Sequence, residues 1–242
     1  MTHIITGFYG SGKTEFAVNL ALALAKKNSK GINSVARNLR VTEFESPVKP
    51  ITLADLDVVN PFFRSREKEA MLKAHGVHLA GCHIENHLAQ DLPAVSLAFL
   101  SNIRRGEDVI IDLAGGEGGL RLLAGCYDDM TDYQFYCVLN PYRPETDQVE
   151  KMMEMIHRLH QDSKLPITGL VNNGHMLAHT TPDHVLAAQE AINQVSAAVH
   201  IPVSYTLLRE DIYQAIQASK DQITSQQVMT FSTPHMREAW QG

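Results

Sequence analysis

Residues 3–27 read HIITGFYGSGKTEFAVNLALALAKK. Residues 3–6 are a short apolar run of the strand type, and residues 13–27 predict a helix that is apolar on nearly every face. Between them, residues 7–14 spell GFYGSGKT and satisfy G-x-x-x-x-G-K-[ST] in full. A phosphate-holding turn needs these residue types. Glycines let the backbone fold so that successive N–H groups point inward at an anion, and the helix that follows adds the partial positive charge of its N-terminus. A lysine at position 13 can reach β- and γ-phosphates, and the Thr14 hydroxyl can ligate Mg²⁺. The candidate nucleotide contacts are therefore Gly7, Tyr9, Gly10, Ser11, Gly12, Lys13, Thr14 and Glu15.

Outward from this stretch, strands are expected at 50–56 (PITLADL), 77–80, 108–113 (DVIIDL), 133–139 (YQFYCVL), 167–171 and 201–205. Helices are expected at 61–74, 93–103, 144–160, 181–199 and 210–219, with Thr181 as a cap and Pro182 in a first turn. Continuous apolar runs such as DVIIDL belong to strands buried on both faces. Alternation of this kind predicts an α/β fold: a mostly parallel sheet with helices on both faces, formed by the whole chain 1–242 as one domain. Residues 28–49 (NSKGINSVARNLRVTEFESPVK) are polar and without clear periodicity, and are expected to be an inserted surface loop.

Composition narrows the function classes. The chain has 242 residues, 44% of them hydrophobic and 20% charged, enough to bury a sizeable core. A net charge of −6 argues against a nucleic-acid binder, which needs a basic face. Three cysteines, at 82, 126 and 137, make no CxxC pair and no disulfide framework, so a reducing, cytoplasmic location is expected. The N-terminus has no signal pattern and no apolar stretch is long enough for a bilayer, so a membrane partner is not expected.

A Mg²⁺–triphosphate site needs carboxylates at the ends of neighbouring strands. Asp112 ends DVIID and opens the D-x-x-G pattern Asp112-Leu113-Ala114-Gly115, in which the acid can hold a Mg²⁺-bound water and the Gly115 N–H can sense a γ-phosphate. Gly116, Gly118 and Gly119 follow, permitting a backbone that switches conformation. Asp55 and Asp57 end the second strand, where either can orient an attacking water or act as base, and Asp57, Thr14 and Asp112 form the candidate metal set.

Together GFYGSGKT, the ADLDVVNP of residues 54–61, DVIIDLAGG and the run Gly169-Leu170-Val171-Asn172-Asn173 resemble the MinD/ParA/Mrp-type ATPases, a branch of the P-loop NTPases. The resemblance implies a P-loop NTPase fold, Mg²⁺ and ATP as cofactors, hydrolase activity, a homodimer, and Asn173 as the amide that reads the adenine edge. No [NT]-K-x-D follows a late strand, so ATP is favoured over GTP. The family's signature lysine is replaced by Phe8, for which Arg64 or Arg66 would have to substitute, and its metal-clamping CxxC is absent. The expected function is a nucleotide switch acting on a protein partner, with metalloenzyme maturation as one setting. The alternatives are an ATP-dependent kinase or ligase of the dethiobiotin-synthetase type and an ATP sensor without chemistry.

The remaining features read as structural. His75, His78, Cys82, His83 and His87 match no zinc spacing, Met152, Met153 and Met155 suit a core-facing helix, and Cys126 and Cys137 suit buried positions. Residues 220–242, with Trp240 and Pro234, are expected to pack back onto the domain as a tail.

Overall fold

The computed structural model describes residues 1–38, 49–56, 65–81, 99–115, 119–120, 123–124 and 126–236. Strands are β1 (Thr2–Thr6), β2 (Ile51–Leu56), β3 (Val77–Gly81), β4 (Asp108–Leu113), β5 (Tyr133–Leu139), β6 (Gly169–Asn172), β7 (Val203–Arg209) and β8 (Gln227–Phe231). Helices among the described residues are α1 (Lys13–Asn38), α2 (Glu69–Ala74), α3 (Leu100–Arg104), α4 (Val149–Asp162), α5 (Pro182–Val199) and α6 (Glu210–Ala215). The eight strands form one sheet in the order β3-β2-β4-β1-β5-β6-β7-β8, every pair parallel. β1 lies between β4 and β5, so the direction in which the chain adds strands reverses beside it. In open α/β sheets that reversal leaves a crevice at the C-terminal strand ends.

The strands carry continuous apolar runs because both faces are covered. Ile4, Ile111 and Cys137 join one core with Met152 and Ile156 of α4 and Ile192 and Val195 of α5. Their neighbours Ile5, Ile110 and Val138 face the opposite core, with Phe16 and Leu20 of α1 and Leu72 of α2. Successive strand side chains point to opposite faces, and burying each large one contributes about 1.5–3 kcal/mol. Met152 and Met155 are buried as core filling, and Cys126 and Cys137 are buried too.

Four expectations are corrected. Residues 28–38 are not loop but the second half of α1, which runs past the expected end at 27. Gly31 costs only about 1 kcal/mol inside a helix, the Ser29 hydroxyl bonds back to the Lys26 carbonyl, and the Asn28 amide donates to the Lys49 carbonyl ahead of β2. α4 begins at Val149 rather than at 144, because residues 140–146 close into a turn in which the Thr146 hydroxyl donates to the Asn140 carbonyl at 2.6 Å. Helix α6 ends at Ala215 rather than 219. Strand β8 was not foreseen: QVMTF is an edge strand with Gln227, Val228 and Thr230 exposed and Met229 and Phe231 partly buried, and it pairs in register from Tyr205↔Gln227 to Arg209↔Phe231.

A buried polar network fixes α5 on the sheet. Gln189 accepts from Asn172 and Thr206 through Oε1, both at 2.8 Å, and donates through Nε2 to Asn193 and Thr224. A network with its members satisfied specifies a unique docking of helix on sheet. Asn172 is therefore structural. The expected cap of α5 is present as a reciprocal box between Thr181 and His184.

Candidate functional site

The phosphate loop leaves β1 at Gly7, where there is no room for a side chain: a Cβ there would lie 2.6 Å from the Val138 carbonyl. Gly10 (φ 75°) and Gly12 (φ 85°) hold the left-handed backbone that only glycine adopts cheaply. A turn closes from the Ser11 N–H to the Phe8 carbonyl, and α1 starts as the Phe16 N–H bonds the Gly12 carbonyl. Lys13 and Thr14 are buried, 5% and 7% exposed, at the first turn of α1.

Parallel register delivers the two carboxylates. Asp55 at the end of β2 is paired with Asp112 of β4, and Asp112 also pairs with Ile5 of β1, just ahead of the loop. Both acids are buried, and Asp55 accepts from the buried Ser65 hydroxyl at 3.1 Å. Gly115 follows close against the loop: a Cβ there would lie 2.7 Å from the Gly7 carbonyl. The predicted residues Gly7, Tyr9–Glu15, Asp55, Asp112 and Gly115 therefore converge at the C-terminal strand edge. Asp57, Arg64, Gly116, Gly118, Cys82, His83, His87 and Trp240 lie outside the described residues, as does the Arg66 side chain. The rest of the histidine cluster is split, His75 following α2 with its ring on the Met71 carbonyl and His78 within β3.

Asn173, expected to read the adenine edge, lies against the phosphate loop. It is buried, and its Nδ2 donates to the Ser11 carbonyl at 2.7 Å, so its donor is engaged on the phosphate loop. A side chain on Gly12 would run into the same amide. Because the peptide unit is planar, holding the Ser11 carbonyl also fixes the direction of the Gly12 N–H. A second brace comes from the turn after β5: Arg143 Nε donates to the Gly10 carbonyl at 3.0 Å. The two brace-bearing segments are themselves joined, since Asn140 donates to the His175 carbonyl and accepts from the His175 N–H.

A cavity of about 970 Å³ opens from the loop across the ends of β6, β7 and β8, at the upper end of the size usual for small-molecule sites. Gly12, Lys13 and Thr14 form one end, His175 and Leu177 one wall, and Arg209 and the 231–236 segment the far wall. Arg209 spans the walls, chelating Asp211 with two bonds and donating to the Leu177 carbonyl at 3.3 Å; the guanidinium holds the Asp211 carboxyl below its usual pKa. Glu15 anchors the tail: its carboxylate accepts the His235 N–H at 2.9 Å and the Met236 N–H at 3.0 Å, besides the Asn19 amide. Sequence reading named Glu15 as a nucleotide contact; the structure engages it with the C-terminal segment.

The donors present suit Mg²⁺. They are hard oxygens, Thr14 hydroxyl and the Asp55 and Asp112 carboxylates, and Mg²⁺ binds through one or two carboxylates with substrate phosphates and retained waters. No group of three or more His, Cys, Asp or Glu among the described residues could hold a metal ion. Among the described residues no helix is long and apolar enough to cross a membrane.

The sequence matches no protein-family model, and no curated protein is similar to it. Solved structures do resemble it. The cell division protein FtsY of Thermotoga maritima superposes with a TM-score of 0.51 at 16% identity, over 86% of this chain and 61% of that one. Chloroplast FtsY of Physcomitrella patens does so with a TM-score of 0.51 at 15% identity, over 85% of this chain and 57% of that one. The chain thus spans about three-fifths of the length of these neighbours. The chain has the P-loop NTPase fold.

Arg143, Asn140, Arg209 and strand β8 escaped sequence reading. The one available signal was position: Asn140 and Arg143 directly follow β5, the strand beside β1.

Proposed function

We propose that the chain binds Mg²⁺–ATP and hydrolyses it, acting as a nucleotide switch of the MinD/ParA/Mrp type on a protein partner. The observation that carries this reading is the phosphate loop itself, with Gly10 and Gly12 left-handed, Lys13 and Thr14 buried behind it, and the Asp55–Asp112 pair beside it. The loop amides and Lys13 would hold the phosphates, and Thr14 with Asp112 would hold the metal. Asp55, with Asp57, would orient the attacking water. When bound, Mg²⁺ would bridge phosphate oxygens and offset their charge. Catalysis in such a site is mainly positioning and charge stabilisation. Gly115, pressed on Gly7, couples the loop after Asp112 to the phosphate loop, which suits a switch.

The preference for ATP rests on the run Asn172-Asn173-Gly174-His175, which lacks the lysine and aspartate of a guanine-reading [NT]-K-x-D. Calorimetric titration with Mg²⁺–ATP and Mg²⁺–GTP, beside phosphate release, tests the reading. ATP is expected to bind at least tenfold tighter than GTP, and Lys13→Ala to abolish binding. Equal affinity of Lys13→Ala and wild type for ATP refutes the site; tighter binding of GTP moves the proposal to a guanine nucleotide. Transfer of phosphate to a metabolite with little hydrolysis would place the chain among kinases instead.

A further inference from the structure

Arg143 makes more contact with the phosphate loop than bracing requires. Its backbone is fixed at both ends: the Arg143 N–H bonds the Asn140 carbonyl at 3.1 Å, and the Arg143 carbonyl accepts the Thr146 N–H at 2.9 Å. Its side chain lies against Gly10, where an added Cβ would sit 3.3 Å from Nε and 3.6 Å from Cδ and Cζ. Nε is spent on the Gly10 carbonyl. Nη2, however, is buried with no hydrogen-bond partner.

A guanidinium keeps its charge at any working pH and presents its donors in a rigid fork. Leaving a buried charged donor without an acceptor is costly, so the position makes sense when an acceptor arrives. The acceptor must come to the phosphate loop and reach the Gly10 side of it, and an anionic one best matches a guanidinium. Guanidinium groups make charge-assisted hydrogen bonds to phosphate oxygens, as they do to carboxylates. Phe8, two residues before Gly10, brings no charge there and packs against the apolar core.

We propose, resting on the nucleotide reading above, that Arg143 is a cation supplied within the chain to the terminal phosphate of the bound triphosphate. Nη2 donates to a terminal phosphoryl oxygen, while Nε keeps the Gly10 carbonyl turned outward. As water adds to the terminal phosphorus and its bond to the diphosphate oxygen breaks, the guanidinium offsets charge on the phosphoryl oxygens without giving up a proton. Arg143 thereby makes the loop discriminate triphosphate from diphosphate.

The test compares binding of ADP and of the non-hydrolysable analogue AMP-PNP, both with Mg²⁺, by wild type, Arg143→Ala and Arg143→Lys, together with ATP turnover and melting temperature. Arg143→Ala is expected to bind AMP-PNP at least tenfold more weakly, to bind ADP within about twofold of wild type, and to lose on the order of 100-fold or more in kcat. Arg143→Lys should recover part of both losses. If Arg143→Ala does not fold, Arg143→Gln, which keeps a donor for the Gly10 carbonyl, reads the same contrast. Equal weakening of ADP and AMP-PNP, or no change in either, overturns the assignment and leaves at most a brace. A wild-type protein that binds neither nucleotide overturns the proposed function itself.

Discussion

Asn173→Ala removes one amide from the centre of the site and separates two roles for it. Asn173 is 3% exposed, and its Nδ2 reaches the Ser11 carbonyl at 2.7 Å. With alanine there, the carbonyl loses a buried donor, a change of about 1–3 kcal/mol. The brace orients the Ser11–Gly12 peptide before any ligand arrives. Its loss therefore obliges the nucleotide to order that peptide on binding. If the whole change falls on binding, affinity drops by roughly 5- to 150-fold. The brace acts on the part of the loop proposed to hold phosphates, so ATP and GTP should weaken by the same factor. Titration of wild type and Asn173→Ala with each nucleotide reads this directly. A loss confined to ATP, with GTP binding unchanged, would refute the bracing argument and return Asn173 to the adenine edge. Asn173→Asp sharpens the contrast, because a carboxylate cannot donate to Ser11 and adds negative charge beside the phosphates.

Glu15→Ala leaves the His235 and Met236 N–H groups without their acceptor. Since the contacts are only part-buried, a loss of roughly 2–3 kcal/mol and a fall of roughly 4–12 °C in Tm are expected, and an unchanged Tm would show that the tail is held by Met236 burial alone. His3 sits at the other end of the sheet, stacked on Tyr136, and burial pushes its pKa from 6.5 down to about 4, against the opposing pull of Asp108. The unfolded chain therefore takes up this proton first. The stability His3 contributes is complete above about pH 6.5 and falls by about 3 kcal/mol as the pH drops to 4. Denaturant unfolding across that range should show the slope, and His3→Leu should flatten it; a slope that survives the substitution would assign it to other groups.

Much of the sheet was legible because its strands are buried on both faces. The apolar runs at 109–111 in DVIIDL and 135–139 in YQFYCVL mark them as buried, and each proves to be a central strand flanking β1. β8 was illegible for the converse reason: a short edge strand with only Met229 and Phe231 partly buried carries too little apolar pattern, and its pairing to β7 makes it a strand. The run at 28–38 read as loop because its polar residues do not mark a face, whereas the helix continues there from a well-packed first half and is tied to the chain ahead of β2 by Asn28.

The phosphate loop could be read from one dimension because its chemistry is local. Eight consecutive residues supply the turn, its glycines, the lysine and the hydroxyl, and the helix they open follows without a break. The acids at 55 and 112 were legible as strand ends, but that they stand side by side is a fact of parallel register. What supports the loop was set by the tertiary structure alone. Arg143 and Asn173 lie 133 and 162 residues from the carbonyls they hold, and Glu15 grips backbone 220 residues away. None of these partners has a sequence pattern, because a hydrogen bond between strand ends depends on which strands become neighbours. Strand order is settled by packing across the whole sheet, so the braces of the site exist only once β5 lies beside β1 and β6 beside β5.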